Sequence, residues 1–360
     1  MEQMYKIIIK LLYKVYQITI YLCNYFLMML KKQRITSVKV LILSSLILFV
    51  TFSCSPKVDQ GYDPEKGYVG TISISGAFAL YPIAVLWSED FKKIHPNVRF
   101  NISAGGAGKG ISDVLSNMVD IGLVSRDLHP IEIEKGALPV VVANDAVIGT
   151  LNSRHPNIEG LLKRGLSQEE LQGIFVTGKI KKWSDLDPSF VNKNIEVYVR
   201  SDAAGAAETW AKYLGATQEE LSGIGIFGDP GLAQAIKDNP LSIGFNNINY
   251  VFDLNSKKTT ANIVALPLDL NSNHRIDEQE SFYEELDSLT NAVATGLYPS
   301  PPARELMFVL NKKYESKLLD EFVRFVMTDK SQAYLLENGF VPLKKEMIKE
   351  ESNKLLASEL

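Results

Sequence analysis

The sequence predicts an α/β fold of two domains, and three observations carry that expectation. Short apolar strands alternate with amphipathic helices from Tyr68 to the end of the chain, the pattern of parallel βαβ units. The length of 360 residues allows about two domains once a targeting segment is set aside. Glycine-rich or small-residue loops follow several strands at the point where a helix begins, and in parallel sheets that is where ligands sit.

The elements follow in order. Residues Tyr68–Ser75 alternate Val69, Ile72 and Ile74 with small residues, a strand pattern. Pro82 stands at a helix start, where its missing N–H costs nothing, and Pro96 closes that helix after Ile94. Val98–Ser103 reads as a strand, Gly105–Gly110 as a loop, Ile111–Asn117 as a helix and Val119–Leu123 as a strand. The loops 75–82, 104–110 and 124–128 are therefore candidate ligand loops. Val140–Thr150 is a long apolar strand suited to cross between domains. Ser167-Gln-Glu-Glu170 is a capping box. Ile195–Arg200 reads as a strand feeding Ser201-Asp-Ala-Ala-Gly-Ala-Ala207 and a helix to Tyr213, and Gly231–Lys237 as a helix. Leu241–Phe245 is a strand placed to cross back. Strands at Ile263–Leu268 and Arg304–Leu310 and helices near 316–327 and 330–337 complete the chain.

The N-terminus reads as an address. Lys31, Lys32, Arg34 and Lys39 precede the apolar run Val40–Val50, and Thr51-Phe-Ser-Cys54 follows. That run is short for a membrane span, which takes roughly 20 residues, but it suits a signal peptide. A Cys after a small residue at this place resembles a bacterial lipobox, which makes Cys54 the lipidated first mature residue; an uncleaved anchor is the other reading. Residues 1–28 are either an over-extended start ahead of Met28 or Met29, or a true first span. Residues 1–53 are thus the targeting segment and 54–67 a polar tether. The first 53 residues carry seven basic side chains against Glu2, a charge of +6, so the rest of the chain holds −10 of the net −4. A mature chain that acidic excludes the broad basic surface nucleic-acid binding needs. It does not exclude an anionic ligand, which backbone N–H groups and a local Arg can hold. Cys54 is the only Cys after residue 30, so no disulfide framework is available.

Read together, the loops resemble the periplasmic phosphate-binding protein family of ABC transporters. Ile74-Ser-Gly-Ala-Phe-Ala-Leu-Tyr-Pro82 is similar to its first anion loop, Ala104-Gly-Gly-Ala-Gly-Lys-Gly-Ile111 to the second, and Asp120-Ile-Gly-Leu-Val-Ser-Arg126 to the third. Gly173–Trp183 resembles a signature of the second lobe, Arg200–Ala207 the main anion loop, and Phe340-Val-Pro-Leu343 the usual close. The resemblance implies a two-lobed periplasmic-binding-protein fold, each lobe a doubly wound mixed sheet flanked by helices, joined by crossing hinge strands. Residues 68–143 with 255–345 would form lobe I, 144–254 lobe II, and 346–360 a C-terminal helix or tail. It implies a ligand set of Ala79, Leu80, Tyr81, Ala107, Ser125, Arg126, Arg200, Ala204, Gly205 and Ala206, with Arg200 as the charge and Leu80, Tyr81, Gly205 and Ala206 as backbone donors. The chain departs from the family where Ala107 replaces a usual Ser, and Ala204 and Ala206 a usual Ser and Thr. Some members hold an Asp at the position of Ser125, where it accepts the ligand's proton. Each hydrogen bond to a charged group is worth roughly 1.5–3 kcal/mol, so three lost hydroxyls weaken an anion site considerably.

Two functions follow as expectations. One is a monomeric lipoprotein that captures phosphate or a related tetrahedral oxyanion and presents it to a membrane ABC permease. The other is a non-transport lipoprotein of the same fold, acting as sensor, scaffold or adhesin. Catalysis is not expected. His95, His129, His155 and His274 form no zinc pattern, no G-x-S-x-G elbow occurs, and Gly105–Gly110 lacks the Lys-Ser/Thr of a P-loop. A separate expectation concerns Asp269–Glu280, which has EF-hand spacing for a structural Ca²⁺. Asp269, Asn271, Asn273, the Arg275 carbonyl, Asp277 and Glu280 stand at positions 1, 3, 5, 7, 9 and 12. His274 holds the position that favours Gly.

Overall fold

The computed structural model describes residues 61–356, with side chains to residue 354. The proposed signal sequence and Cys54 lie outside the described residues. In chain order, β1 (Gly61–Asp63) turns into β2 (Gly67–Gly76), followed by α1 (Tyr81–Ile94), β3 (Val98–Ala104), α2 (Ala107–Leu115), β4 (Ile121–Val124) and α3 (Pro130–Glu134). The tether expected at 54–67 therefore ends in a hairpin, with Gly61 opposite Val69. Next come β5 (Ala137–Leu151), α4 (Ile158–Arg164), β6 (Leu166–Ser167), α5 (Gln168–Phe175), β7 (Glu196–Arg200), α6 (Gly205–Tyr213), β8 (Ile224–Ile226), α7 (Gly228–Asp238) and β9 (Ser242–Asn247). β10 (Val264–Ala265), β11 (Leu268–Asp269), α8 (Leu286–Thr295), β12 (Ala303–Asn311), α9 (Lys317–Val326), α10 (Asp329–Ala333) and α11 (Lys345–Leu356) finish the chain.

The main sheet runs β1-β2-β4-β12-β5-β9-β7-β8, with β3 on β2 and β10 on β5. β2 pairs parallel with β3 and β4, and β7 parallel with β8 and β9. The antiparallel pair β5 and β12 links these two parallel blocks. At roughly 3.3 Å per residue, the 15 residues of β5 reach about 50 Å, enough to serve both.

Two hydrophobic cores define the lobes. Ile72, Trp87, Phe91, Val140, Phe308, Phe322 and Phe340 belong to the first, and Val147, Phe175, Trp183, Trp210, Phe245, Leu266 and Tyr298 to the second. The division falls between Ala143 and Ala146 on β5, and between Ala303 and Leu306 on β12. The crossing expected at Val140–Thr150 is therefore present.

Two boundaries are corrected. Residues 255–303 belong to lobe II, not lobe I: β10 pairs with β5 at Leu151 and Thr150, and Leu286, Leu289 and Tyr298 fill the second core. The return crossing is β12, because β9, though antiparallel to β5, lies wholly in the second core. The C-terminal segment is helical, as α11, and docked: Glu351 Oε2 accepts the Val141 N–H at 2.9 Å, and Met347 and Ile348 pack on the first core. Among the described residues no helix is long and apolar enough to cross a membrane.

Candidate functional site

Each lobe directs strand ends and helix starts at the other. From lobe I come the turn after β2, the start of α2 and the residue after β4. From lobe II come the end of β7, the start of α6, the start of α7 and the end of β9. They converge on one narrow, tightly closed cleft. Ala77, Phe78 and Ala79 line it from the first turn, Gly106 and Ala107 from α2, and Ser125 from the strand after them. Arg200, Ala204, Gly205 and Ala206 face it from lobe II, with Asp229 and Asn247.

The helices that begin here share one property. The residues before α1, α2, α6 and α7 are Leu80, Gly106, Ala204 and Phe227, and none supplies a side-chain cap. An α-helix leaves its first N–H groups without intrahelical acceptors, and its N-terminus carries partial positive charge. Gly106 takes φ +91°, and a Cβ there would press on the Ala203 carbonyl at 2.8 Å, so only glycine admits this approach.

Arg200 is the charge centre, 6% exposed. Its Nε donates to Asp202 Oδ1 at 2.8 Å, its Nη2 to Asp202 Oδ2 and its Nη1 to Asp229 Oδ2. The guanidinium lies 5.3 Å from the centroid of the Phe78 ring. Burial disfavours its charge, but Asp229 and Asp202 outweigh that and hold its pKa above the ordinary value. Complete burial pushes the Asp229 carboxyl up, and Arg200 offsets only part of this. Asp202 also accepts the Gly228 N–H at 3.1 Å, and Gln218 braces the loop by donating to the Asp202 carbonyl at 2.7 Å and accepting the Ala204 N–H at 3.1 Å.

The lobes meet across this space. Gly108 N–H donates to the Ala203 carbonyl at 3.2 Å and the Tyr250 hydroxyl to the Phe78 carbonyl at 2.9 Å. Gly205 approaches Ser125 so closely that a Cβ would stand 2.3 Å from the Ser125 Oγ.

Seven of the ten expected ligand residues converge: Ala79, Ala107, Ser125, Arg200, Ala204, Gly205 and Ala206. Three do not. Leu80 and Tyr81 lie outside this lining, the Leu80 side chain in the first core and the Tyr81 N–H donating to the Phe78 carbonyl at 3.3 Å. Arg126 points elsewhere. It pairs with Glu132 at 2.8 Å and, across the lobes, with Glu208 at 3.0 Å, beside a Lys212–Asp127 pair at 2.6 Å. Arg126 is thus an inter-lobe tie. Burial opposes ionisation of Glu132, but the Arg126 guanidinium holds its carboxyl below the usual range. The sequence reading missed Asp229 and Asn247. The strand–Gly–helix pattern of Ile224–Gly228 matches the other ligand loops and was the available signal for Asp229.

The loop 269–280 lies away from this space, tied to α4 by the Ile276 N–H, which donates to the Lys163 carbonyl at 2.8 Å. His274 takes φ +59°, the left-handed conformation its position requires. The carboxylates are satisfied by the loop's own donors. Asp269 accepts the Asn273 and His274 N–H groups at 3.1 and 2.8 Å, and Glu280 those of Leu270 and Asp277 at 2.8 and 3.0 Å. Asp277 binds the Arg275 guanidinium and the Asn271 and Asn273 amides. Among the described residues no group of three or more His, Cys, Asp or Glu side chains stands ready to hold a metal ion.

A family model described as a PBP superfamily domain matches residues 63–330. The chain belongs to the PBP superfamily. This superfamily member is 31% identical over 190 residues to the phosphate-binding protein PstS of Bacillus subtilis, a match covering 52% of this chain and 61% of that protein. It is 24% identical over 310 residues to the phosphate-binding protein PstS of Pseudomonas aeruginosa, covering 78% and 86% respectively. Its fold is similar to that of an ABC-type phosphate transport receptor from Vibrio cholerae, with TM-score 0.56 and 18% identity over 76% of this chain and all of that one. It is also similar to a protein from Clostridium perfringens solved with bound phosphate, with TM-score 0.63 and 21% identity over 76% of this chain and all of that one. These likenesses support the two-lobed α/β fold.

Proposed function

We propose that this superfamily member captures phosphate, or a related tetrahedral oxyanion, outside the cytoplasmic membrane and presents it to an ABC permease. The observation that carries the reading is Arg200, buried between two lobes where four helices begin whose N-cap residues supply no side-chain cap. A dehydrated anion leaves water only where fixed N–H dipoles and a guanidinium replace its hydration shell. The relatives named phosphate-binding proteins support the same ligand. The chemistry is binding and release by a monomer, with no covalent step. Calorimetry of the mature protein with phosphate, sulfate, arsenate and a phosphonate tests this; phosphate should give heat, and silence with all four would end the reading.

A non-transport lipoprotein is the second reading, favoured by the three methyl groups of Ala107, Ala204 and Ala206 where hydroxyls would serve an anion. Phosphate binding in that same calorimetry counts against it.

Anchoring through Cys54 is a proposal supported by the apolar run before it. A fatty-acid probe should label the wild type in cells and not Cys54→Ser; equal labelling would remove the lipobox. Calcium at 269–280 is likewise a proposal, supported by the ligand spacing and the left-handed His274. It asks Arg275 to release Asp277. Calcium should raise the melting temperature relative to chelator, and Glu280→Ala should cancel the rise. An identical melt with calcium and chelator would dispose of the idea.

A further inference from the structure

We propose that Phe78 is the partition that restricts this site to bare oxyanions, and that the groove behind it is a latent seat for the organic arm of a phosphonate. The proposal rests on the phosphate reading above and assigns the size limit of the ligand to one side chain of lobe I.

Two spaces adjoin at Phe78. One is the narrow cleft around Arg200. The other is a groove of about 570 Å³, open to solvent, to which lobe I contributes Tyr81, Pro82 and Val85, and lobe II Pro230 and Tyr250. Among the described residues Phe78 alone lines both. It stands in the turn between β2 and α1, with small, buried Ala77 and Ala79 on either side, and is itself only half-buried.

The ring crosses to the other lobe. It lies 5.3 Å from the Arg200 guanidinium and meets the Phe227 ring edge-on at 5.9 Å between centroids. It approaches Gly228 so closely that a Cβ there would stand 3.0 Å from the Phe78 Cζ. These three partners all belong to lobe II, so the ring is clamped when the lobes are closed. The main chain is fixed as well, because the Phe78 carbonyl accepts the Tyr250 hydroxyl at 2.9 Å and the Tyr81 N–H at 3.3 Å.

A bare oxyanion needs no room beyond its own oxygens. A phosphonate carries carbon in place of one oxygen, and that arm must leave the cleft. Packed side chains do not surrender the volume of an arm without losing their contacts, so an arm directed at Phe78 holds the lobes apart. Reducing the ring to a methyl group joins the cleft to the groove. The groove then offers apolar surface, which favours an aryl arm in proportion to the area covered. The rest of the cleft tolerates the exchange of oxygen for carbon. Ala107, Ala204 and Ala206 present methyl groups there, and no hydroxyl of theirs is left without a partner.

Calorimetry of wild type and Phe78→Ala with inorganic phosphate, methylphosphonate and phenylphosphonate is the test. Wild type should bind phenylphosphonate about 100-fold more weakly than phosphate, or worse. Phe78→Ala should bind phenylphosphonate about 10-fold more tightly than wild type does, or better, while its phosphate affinity falls because water reaches Arg200. Methylphosphonate should gain less, since its arm is too short to cover the groove. Circular dichroism checks that the variant is folded. Phe78→Leu, which removes part of the ring's volume, should show part of the gain and replaces Phe78→Ala if that variant does not fold. A folded variant that binds phosphate and still refuses phenylphosphonate overturns the partition and leaves the phosphate reading intact. So does a wild type that binds phenylphosphonate as well as phosphate. Equal gains for the two phosphonates overturn the groove as the seat of the arm. A wild type that binds none of the three ligands overturns both the proposal and the phosphate reading.

Discussion

Arg200→Ala should weaken phosphate capture by about 10- to 100-fold and lower the stability of the empty protein, two effects with separate causes. The guanidinium holds Asp202 and Asp229 in a buried triad. Removing one partner of such a cluster leaves uncompensated buried charge and typically costs about 3–5 kcal/mol. For a chain of this size that is a drop in melting temperature on the order of 10 °C. The ligand loses a charged donor, worth roughly 1.5–3 kcal/mol, or about 10- to 100-fold in affinity. Arg200→Ala combined with Asp229→Asn separates the two effects. The double variant should recover part of the melting temperature, because it removes one of the two orphaned charges, and none of the phosphate affinity. Arg200→Lys should keep a charge but lose the planar fork that engages Asp202 through two nitrogens. Wild-type phosphate affinity in the single variant, measured by calorimetry, would remove Arg200 from the binding site.

Gly205→Ala should weaken phosphate binding by about 10- to 100-fold while leaving the melting temperature of the empty protein nearly unchanged. The added Cβ would stand 2.3 Å from Ser125 Oγ and 2.5 Å from the Ser125 carbonyl oxygen, distances no real Cβ keeps. Ser125 follows β4 in lobe I, and Gly205 opens α6 in lobe II, so the clash lies between the lobes. Within its own lobe alanine is a good residue at a helix start and creates no backbone strain. Overpacking of this kind costs about 1–3 kcal/mol, charged here to closure and not to folding. X-ray scattering provides the second measurement. Wild type should contract on adding phosphate, and Gly205→Ala should stay extended at the same concentration. Contraction and affinity equal to wild type would show that the lobes do not need this contact.

The legibility of the site varied with the range of the interaction. The loops that carry Ala79 and Ala107 were readable because each lies where a strand pattern stops and a helix begins, and the ends of parallel strands are directed to one side of a sheet; the residues themselves, with Arg200, Ala204, Gly205 and Ala206, were named by the family resemblance. Arg126 was misassigned for the same reason in reverse. It follows a strand, but its direction is set by Glu208, 82 positions along the chain on the other lobe. Asp229 was missed because Phe227-Gly-Asp229 looks like an ordinary helix start until α7 is brought against Arg200. The return strand was misplaced because β9 and β12 carry the same apolar signature. Only the division of the two cores at Ala303 and Leu306 distinguishes them.

Local periodicity and turn chemistry alone thus established the α/β class and the succession of strand, loop and helix, and the family resemblance implied the Arg at the head of the main loop and the absence of three hydroxyls around it. Tertiary structure alone decided which lobe owns residues 255–303, which way Arg126 turns, and that a second buried acid stands beside Arg200. The physical reason is that the backbone's propensities act over a few residues. The direction of a buried charge is set by whichever opposite charge the fold brings within reach, and that partner is specified far away in the chain.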